Sequence, residues 1–385
     1  MKSLMQTLTR TALAAALGGG LAMSAFAADL KVGLCVSLSG PNSSLGVPYA
    51  KGMQAALAYK PEVNGRKIQL IVLDDGSDPT TAGRNARKLV EEDKVDILMG
   101  TSGVPAAIAM AQVGRDAKVP MIGLTPIQLD PAENAWVFTV AQPTQLMIDA
   151  VVQRMKKDGI KTVGYIGFTD AWGDLVYNAL MKSAPEAGIK VLGNERYARA
   201  DASVTGQVLK LVAMKPDAVM TGGAGTPGAL PFLALTERGF KGPVYGQHGL
   251  INPDFVRVVG ASGQGALMPT GPVIVAEQLP DEYPTKKIAM DFRSVFQKVN
   301  NAPTSDAFSA YSFDGWLVFT DAAARAKGEP GTPEFRLSLR DAIASTKEVV
   351  GTHGVYNFKP GNLYGVDERA RVIVKLDNGQ WKLAP

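Results

Sequence analysis

The residue types that carry chemistry are few in this chain. There are two histidines, His248 and His353, and one cysteine, Cys35. No G-x-S-x-G elbow is present, and Cys35 lies in the apolar run Lys31–Val36, where a buried, inert thiol is expected. This is too little material for a catalytic triad, an all-histidine metal cage or a cysteine-rich cluster. Asp74, Asp75 and Asp78 stand close enough to suggest a cation site, but Asp78-Pro79 reads better as a helix cap followed by proline at the first helical position. Gly223, Gly225 and Gly228 match G-x-G-x-x-G. Pro227, and the lack of an acidic residue about 20 positions on, argue against a dinucleotide site and for a turn lying flat against a cleft. An enzyme, a metal and a cofactor are therefore not expected.

Short Gly, Ser and Thr segments that follow apolar runs say more. Gly100-Thr101-Ser102-Gly103 ends one such run and leads into the helical pattern Val104–Ala117, which places unpaired N–H groups and a hydroxyl at a helix start. That combination suits a carboxylate. Ser102 either donates to it or only caps its own helix. Ser43 and Ser44, in the turn after the first run, either add donors to the same anion or only shape the turn. Thr125 and Gln128 follow the fourth run at the same edge. Trp172 offers a flat face to an apolar ligand or fills the core, and Phe308 and Tyr311 open a helix as cleft walls or as core.

The elements that must position these residues are legible from periodicity. Apolar runs bounded by Gly or Pro recur at Lys31–Val36, Ile68–Leu73, Val95–Met99, Met121–Leu124, Val137–Val140, Val163–Gly167, Lys190–Leu192, Ala218–Met220 and Val244–Tyr245. Helical patterns separate most of them, among them Thr144–Ile160 and Gly228–Arg238, so the rhythm is βαβ with a parallel sheet covered on both faces. An extended passage near Ala266–Ala276 precedes three helical patterns, Lys286–Val299, Phe308–Arg325 and Pro333–Ser345, and Asp377-Asn378-Gly379 marks a closing hairpin. So many parallel units fit two doubly wound sheets, whose facing strand ends would form a cleft able to close. With 385 residues, 46% hydrophobic and 20% charged, disorder and fibrous folds are excluded, and a net charge of +4 gives no sign of a nucleic-acid surface. Met1–Ala27, with Lys2, Arg10, an apolar middle and Ala25-Phe26-Ala27, reads as a secretory signal cleaved near Ala27.

In order and spacing, these segments resemble the periplasmic substrate-binding proteins of ABC importers, in the branch of the leucine/isoleucine/valine receptors and their aromatic-acid-binding relatives. The carriers are Ser39-Gly40-Pro41 with Ser43-Ser44-Leu45-Gly46, Asp74–Pro79, Gly100–Gly103, Thr125-Pro126, Asp170-Ala171-Trp172-Gly173, Gly246-Gln247-His248-Gly249 and Gly351–Asn357. The resemblance implies two α/β lobes joined by three crossovers, near Ala141–Pro143, Met268–Pro272 and Tyr364–Arg369. Lobe 1 would comprise residues 28–141 and 272–366, and lobe 2 residues 142–271 and 367–385. It also implies that Leu45, Gly103, Ile127 and Ala224 line the cleft with Ser43, Ser44, Ser102, Thr125, Gln128, Trp172, His248 and Tyr311. The expected partner is an inner-membrane permease and the expected state a monomer in the periplasm.

Two departures matter. In branched-chain receptors the ligand's ammonium is held by an acidic residue where this chain has His248, and by a threonine where it has Leu129. A buried ammonium without such partners costs several kcal/mol. His248 either donates to a carboxylate, phenol or keto oxygen or is a satisfied structural histidine, and His353 reads as structural. The expected ligand is a small aromatic or otherwise apolar carboxylic acid. An apolar amino acid is the alternative, followed by a sensory module.

Overall fold

The computed structural model describes residues 29–304 and 306–384; the expected signal segment lies outside them. The first sheet contains β1 (Leu30–Val36), β2 (Glu62–Val63), β3 (Arg66–Asp74), β4 (Ile97–Gly100), β5 (Met121–Gly123) and β6 (Val137–Thr139), in the order β2-β3-β1-β4-β5-β6. All its neighbours are parallel except β2 and β3. The connecting helices are α1 (Ser43–Tyr59), α2 (Pro79–Glu91) and α3 (Val104–Asp116). Strands β4 and β5 are buried along their whole length, as parallel strands covered on both faces must be. Helix α2 starts where Asp78 accepts from the Thr81 N–H at 2.7 Å with Pro79 next, and it buries Ala82, Ala86, Leu89 and Val90 at spacings of four, three and one.

The chain then builds a second sheet. Its path runs α4 (Thr144–Lys157), β7 (Thr162–Phe168), α5 (Ala171–Glu186), β8 (Lys190–Tyr197), α6 (Thr205–Ala213), β9 (Ala218–Gly222), α7 (Leu230–Glu237), β10 (Val244–Tyr245), α8 (Pro253–Val259) and β11 (Leu267–Thr270). It next returns to the first lobe, where α9 (Lys286–Asn300) and α10 (Phe308–Arg325) pack on α1, α11 (Pro333–Ala344) packs on α10, and β12 (Val349–Val350) pairs with β13 (Val355–Tyr356). Finally β14 (Val372–Asp377) and β15 (Gln380–Leu383) close the second sheet as β15-β14-β11-β10-β9-β7-β8, with β14 antiparallel to β11.

Two expectations need correction. The pattern Gly228–Arg238 is split into a 3-10 turn at Thr226–Ala229 and an α-helix that begins at Leu230, because Pro227 and Pro231 lack the N–H groups that a continuous helix would use. The passage near Ala266–Ala276 is not extended throughout: Leu267–Thr270 is a strand, and Pro272–Gln278 is a kinked 3-10 segment.

The three passages between the lobes meet over a buried polar cluster. Gln142 accepts from the Tyr311 hydroxyl and donates to the Ala370 carbonyl at 3.0 Å, and Gly271 lies so close to His353 that a Cβ there would stand 1.9 Å from Nδ1. Below them Asp314 accepts from the Thr352 N–H (2.6 Å), the His353 N–H (2.9 Å) and the Tyr356 hydroxyl (2.8 Å). His353 stacks on Tyr311 with ring centroids 3.8 Å apart, and its Nε2 lies 2.9 Å from the Ala307 carbonyl. Cys35 is fully buried, and burial pushes its thiol up to about 12. Thiol reagents are therefore expected to leave the native protein unlabelled and to react only after denaturation, which mass spectrometry would show.

Candidate functional site

The carboxyl ends of both sheets face one narrow space lined from both lobes. The first lobe supplies Leu45 and Tyr49 from α1, Ser102, Gly103 and Val104 from the β4–α3 junction, Leu124, Thr125 and Pro126 after β5, and Phe308 and Tyr311 from α10. The second lobe supplies Trp172 from the first turn of α5, Arg199 after β8, Ala224 after β9, and His248 and Gly249 after β10. Nine of the residues expected from the sequence thus come together: Leu45, Ser102, Gly103, Thr125, Trp172, Ala224, His248, Phe308 and Tyr311. Tyr49, Val104, Leu124, Pro126, Arg199 and Gly249 join them without having been expected.

Four expected residues lie elsewhere. Ser43 and Ser44 border an outer groove between the lobes, and the Ser44 hydroxyl accepts from the Thr226 N–H at 3.1 Å, so it ties one lobe to the other. Ile127 and Gln128 border a separate groove with Pro143 and Tyr364, because the chain turns away from the cavity after Pro126. There the Ile127 carbonyl accepts from the Tyr364 hydroxyl at 2.7 Å.

One end of the cavity is built for an acceptor-rich group. Gly103 is the N-cap of α3 and no side chain caps it, so its first N–H groups have no intrahelical acceptor. Ser102 does not cap its helix; its oxygen accepts from the Ser37 N–H at 3.0 Å, which leaves its own proton to donate. The Ser37 hydroxyl is in turn held by Asp75 at 2.6 Å, with Thr101 and the Ser77 N–H on the same carboxylate. The walls are aromatic. Tyr49 spends its hydroxyl on the Leu124 carbonyl at 2.6 Å and Tyr311 spends its own on Gln142, so both present rings. Trp172 donates to the Gly223 carbonyl at 3.3 Å and meets the His248 ring edge to face, with centroids 5.4 Å apart.

His248 is 3% exposed, and neither ring nitrogen has a partner. No carboxylate lines the space among the described residues. Asp75 is consumed as described, and Asp170 accepts from the Trp172 and Gly173 N–H groups and from Arg199. Burial without a counter-charge holds His248 at about 3 and His353 at about 3, and burial pushes Asp314 up to about 6. On acidification the unfolded chain binds the imidazole protons that the folded protein refuses, so stability falls as pH drops below about 6.5 toward 3. Asp314 acts in the opposite sense between about 6 and its ordinary value, one group against two. The melting temperature of the empty protein is therefore expected to fall by several degrees between pH 6.5 and 4.5, and His248→Phe should shrink that fall.

Two doubly wound lobes meeting over one lined cavity define a hinged binding protein. The chain belongs to the periplasmic binding protein family, which matches residues 29–361. It is a binding protein of that family rather than an enzyme. An extracellular ligand-binding receptor from Rhodopseudomonas palustris is 40% identical, with a TM-score of 0.90 over 93% of this chain and 100% of that one. A Rhodopseudomonas palustris solute-binding protein in complex with benzoate is 21% identical, with a TM-score of 0.78 over 92% and 95%. A Leu/Ile/Val-binding protein homolog from Brucella melitensis is 26% identical across 68% of this chain and 72% of its own length.

Proposed function

We propose that this protein captures a small aromatic or otherwise apolar carboxylic acid between its lobes in the periplasm and delivers it to an inner-membrane ABC permease. The observation that carries the reading is His248, whose two ring nitrogens are buried without partners, in a cavity lined by no carboxylate, among the described residues. An imidazole so placed is matched by a ligand oxygen. An ammonium in the same place would lose its hydration and find no anion, at a cost of several kcal/mol. The unspent Ser102 proton and the open start of α3 take the carboxylate, and Trp172, Tyr49 and Phe308 enclose the apolar body. The benzoate complex of a fold relative agrees with this class of ligand.

Closure follows from the same geometry. Donors for the anion sit on one lobe and His248 and Trp172 on the other, so a ligand satisfies both sets only when the lobes meet, and its differential affinity shifts the population to the closed form. Gln142, Gly271 and Ala370, which meet at the crossovers, are the proposed hinge. Capture of a branched-chain amino acid is the second reading, favoured by the names of curated relatives such as the Leu/Ile/Val-binding proteins. A thermal-shift screen of benzoates, phenylpropanoids, keto acids and amino acids separates the two. Aromatic acids are expected to raise the melting temperature; a rise with leucine or valine and none with aromatic acids would overturn the ligand assignment.

A further inference from the structure

Resting on that reading, we propose that Arg199 is the specificity-determining residue for the ligand's negative charge, reaching from the second lobe to the carboxylate end of the cavity. Arg199 follows β8 and is the only acid- or base-bearing side chain besides His248 among the described residues that border the space. Its Nη1 donates to Asn42 Oδ1 at 2.8 Å. The Nδ2 of that same Asn42 is the atom that a Cβ on Gly103 would meet at 2.9 Å, so the guanidinium ends beside the Ser102–Gly103 segment at the start of α3.

Its orientation is fixed from three sides. Nε is paired with Asp170 Oδ2 at 2.5 Å, the guanidinium carbon lies 4.2 Å from the centre of the Phe168 ring, and Asn42 holds Nη1. Nη2 has no partner among the described residues, so donors remain on a fork that is already pre-organised. Asp170 needs no arginine to cap α5, since its Oδ1 alone accepts the Trp172 and Gly173 N–H groups at 3.0 and 3.3 Å. The arginine is therefore surplus to local structure but well placed for an anion. Because Asn42 belongs to the first lobe and Asp170 to the second, the guanidinium takes this position only when the lobes are together. Charge recognition and closure become one event.

The test is calorimetry on the mature chain with two acid and amide pairs, benzoate with benzamide and leucine with leucinamide, in wild type, Arg199→Gln and Arg199→Lys. The wild type is expected to prefer the acid of the pair it binds by a hundredfold or more. Arg199→Gln should weaken the acid at least thirtyfold and the amide less than threefold, and Arg199→Lys should recover part of the acid's affinity. Parallel loss for acid and amide, or no loss for either, overturns the role of Arg199. If leucine binds and benzoate does not, the aromatic reading fails while the leucine pair still decides Arg199. If neither acid binds the wild type, both fail.

Discussion

Replacing His248 with phenylalanine is expected to weaken benzoate binding by roughly ten- to hundredfold while the empty protein melts at the same temperature or higher. The two effects have opposite signs because the imidazole serves only the ligand. Both of its nitrogens lack partners among the described residues, and a buried polar group left without one costs about 1–3 kcal/mol. A ring of similar size and no polar atom removes that cost and keeps the edge-to-face contact with Trp172. What is lost is a hydrogen bond to a charged oxygen, about 1.5–3 kcal/mol, which is one to two decades of affinity. A structural histidine would behave in reverse, with the substitution lowering the melting point and sparing affinity. Calorimetry and melting on one preparation read both numbers.

The second large effect is on packing. Gly52→Ala should lower the melting temperature by several degrees and weaken ligand binding with it. Helices α1 and α10 touch backbone to backbone at this residue: a Cβ on Gly52 would stand 2.0 Å from the Ser309 carbonyl oxygen, which cannot rotate aside. Overpacking of this kind costs about 1–3 kcal/mol, occasionally more. The same two helices carry Tyr49 and Phe308, whose rings meet edge to face at 5.4 Å on the cavity wall, so pushing the helices apart opens the site. Gly206→Ala is the control, since a Cβ there meets nothing within 4 Å in α6; its melting point should hold or rise slightly. Equal behaviour of the two variants would show that the helices do not press on each other as described.

The layered order was readable in the sequence because central parallel strands are buried on both faces and so appear as unbroken apolar runs, as in β1 and β7. Strand β11 was not. It contains Pro269, a residue that argues against a strand, and it is tolerated because β10 pairs with β11 only at Leu267, leaving no ladder bond on that side for proline to forfeit. Ser102, Gly103, Trp172 and His248 could be found because each follows a strand at its carboxyl end, where open sheets place ligands. Arg199 also follows a strand, yet it stands among charged surface residues and reaches the cavity only through the meeting of two lobes, which no local pattern encodes. Ser43 and Ser44 stand apart from the inner cavity for a related reason. They occupy the first turn of α1, where one step along the helix turns a side chain from the inner cavity, which Leu45 lines, to the outer groove. Ile127 and Gln128 lie in an irregular passage whose direction after Pro126 has no periodic signature.

The central claim is that the cavity accepts an anion and has no place for a cation. Titration of the protein with 3-phenylpropanoate and with phenylalanine, which share a ring, a chain and a carboxylate and differ by one ammonium group, tests it most directly. The predicted result is that phenylpropanoate binds at least a hundredfold more tightly. Equal affinity, or tighter binding of phenylalanine, would contradict it.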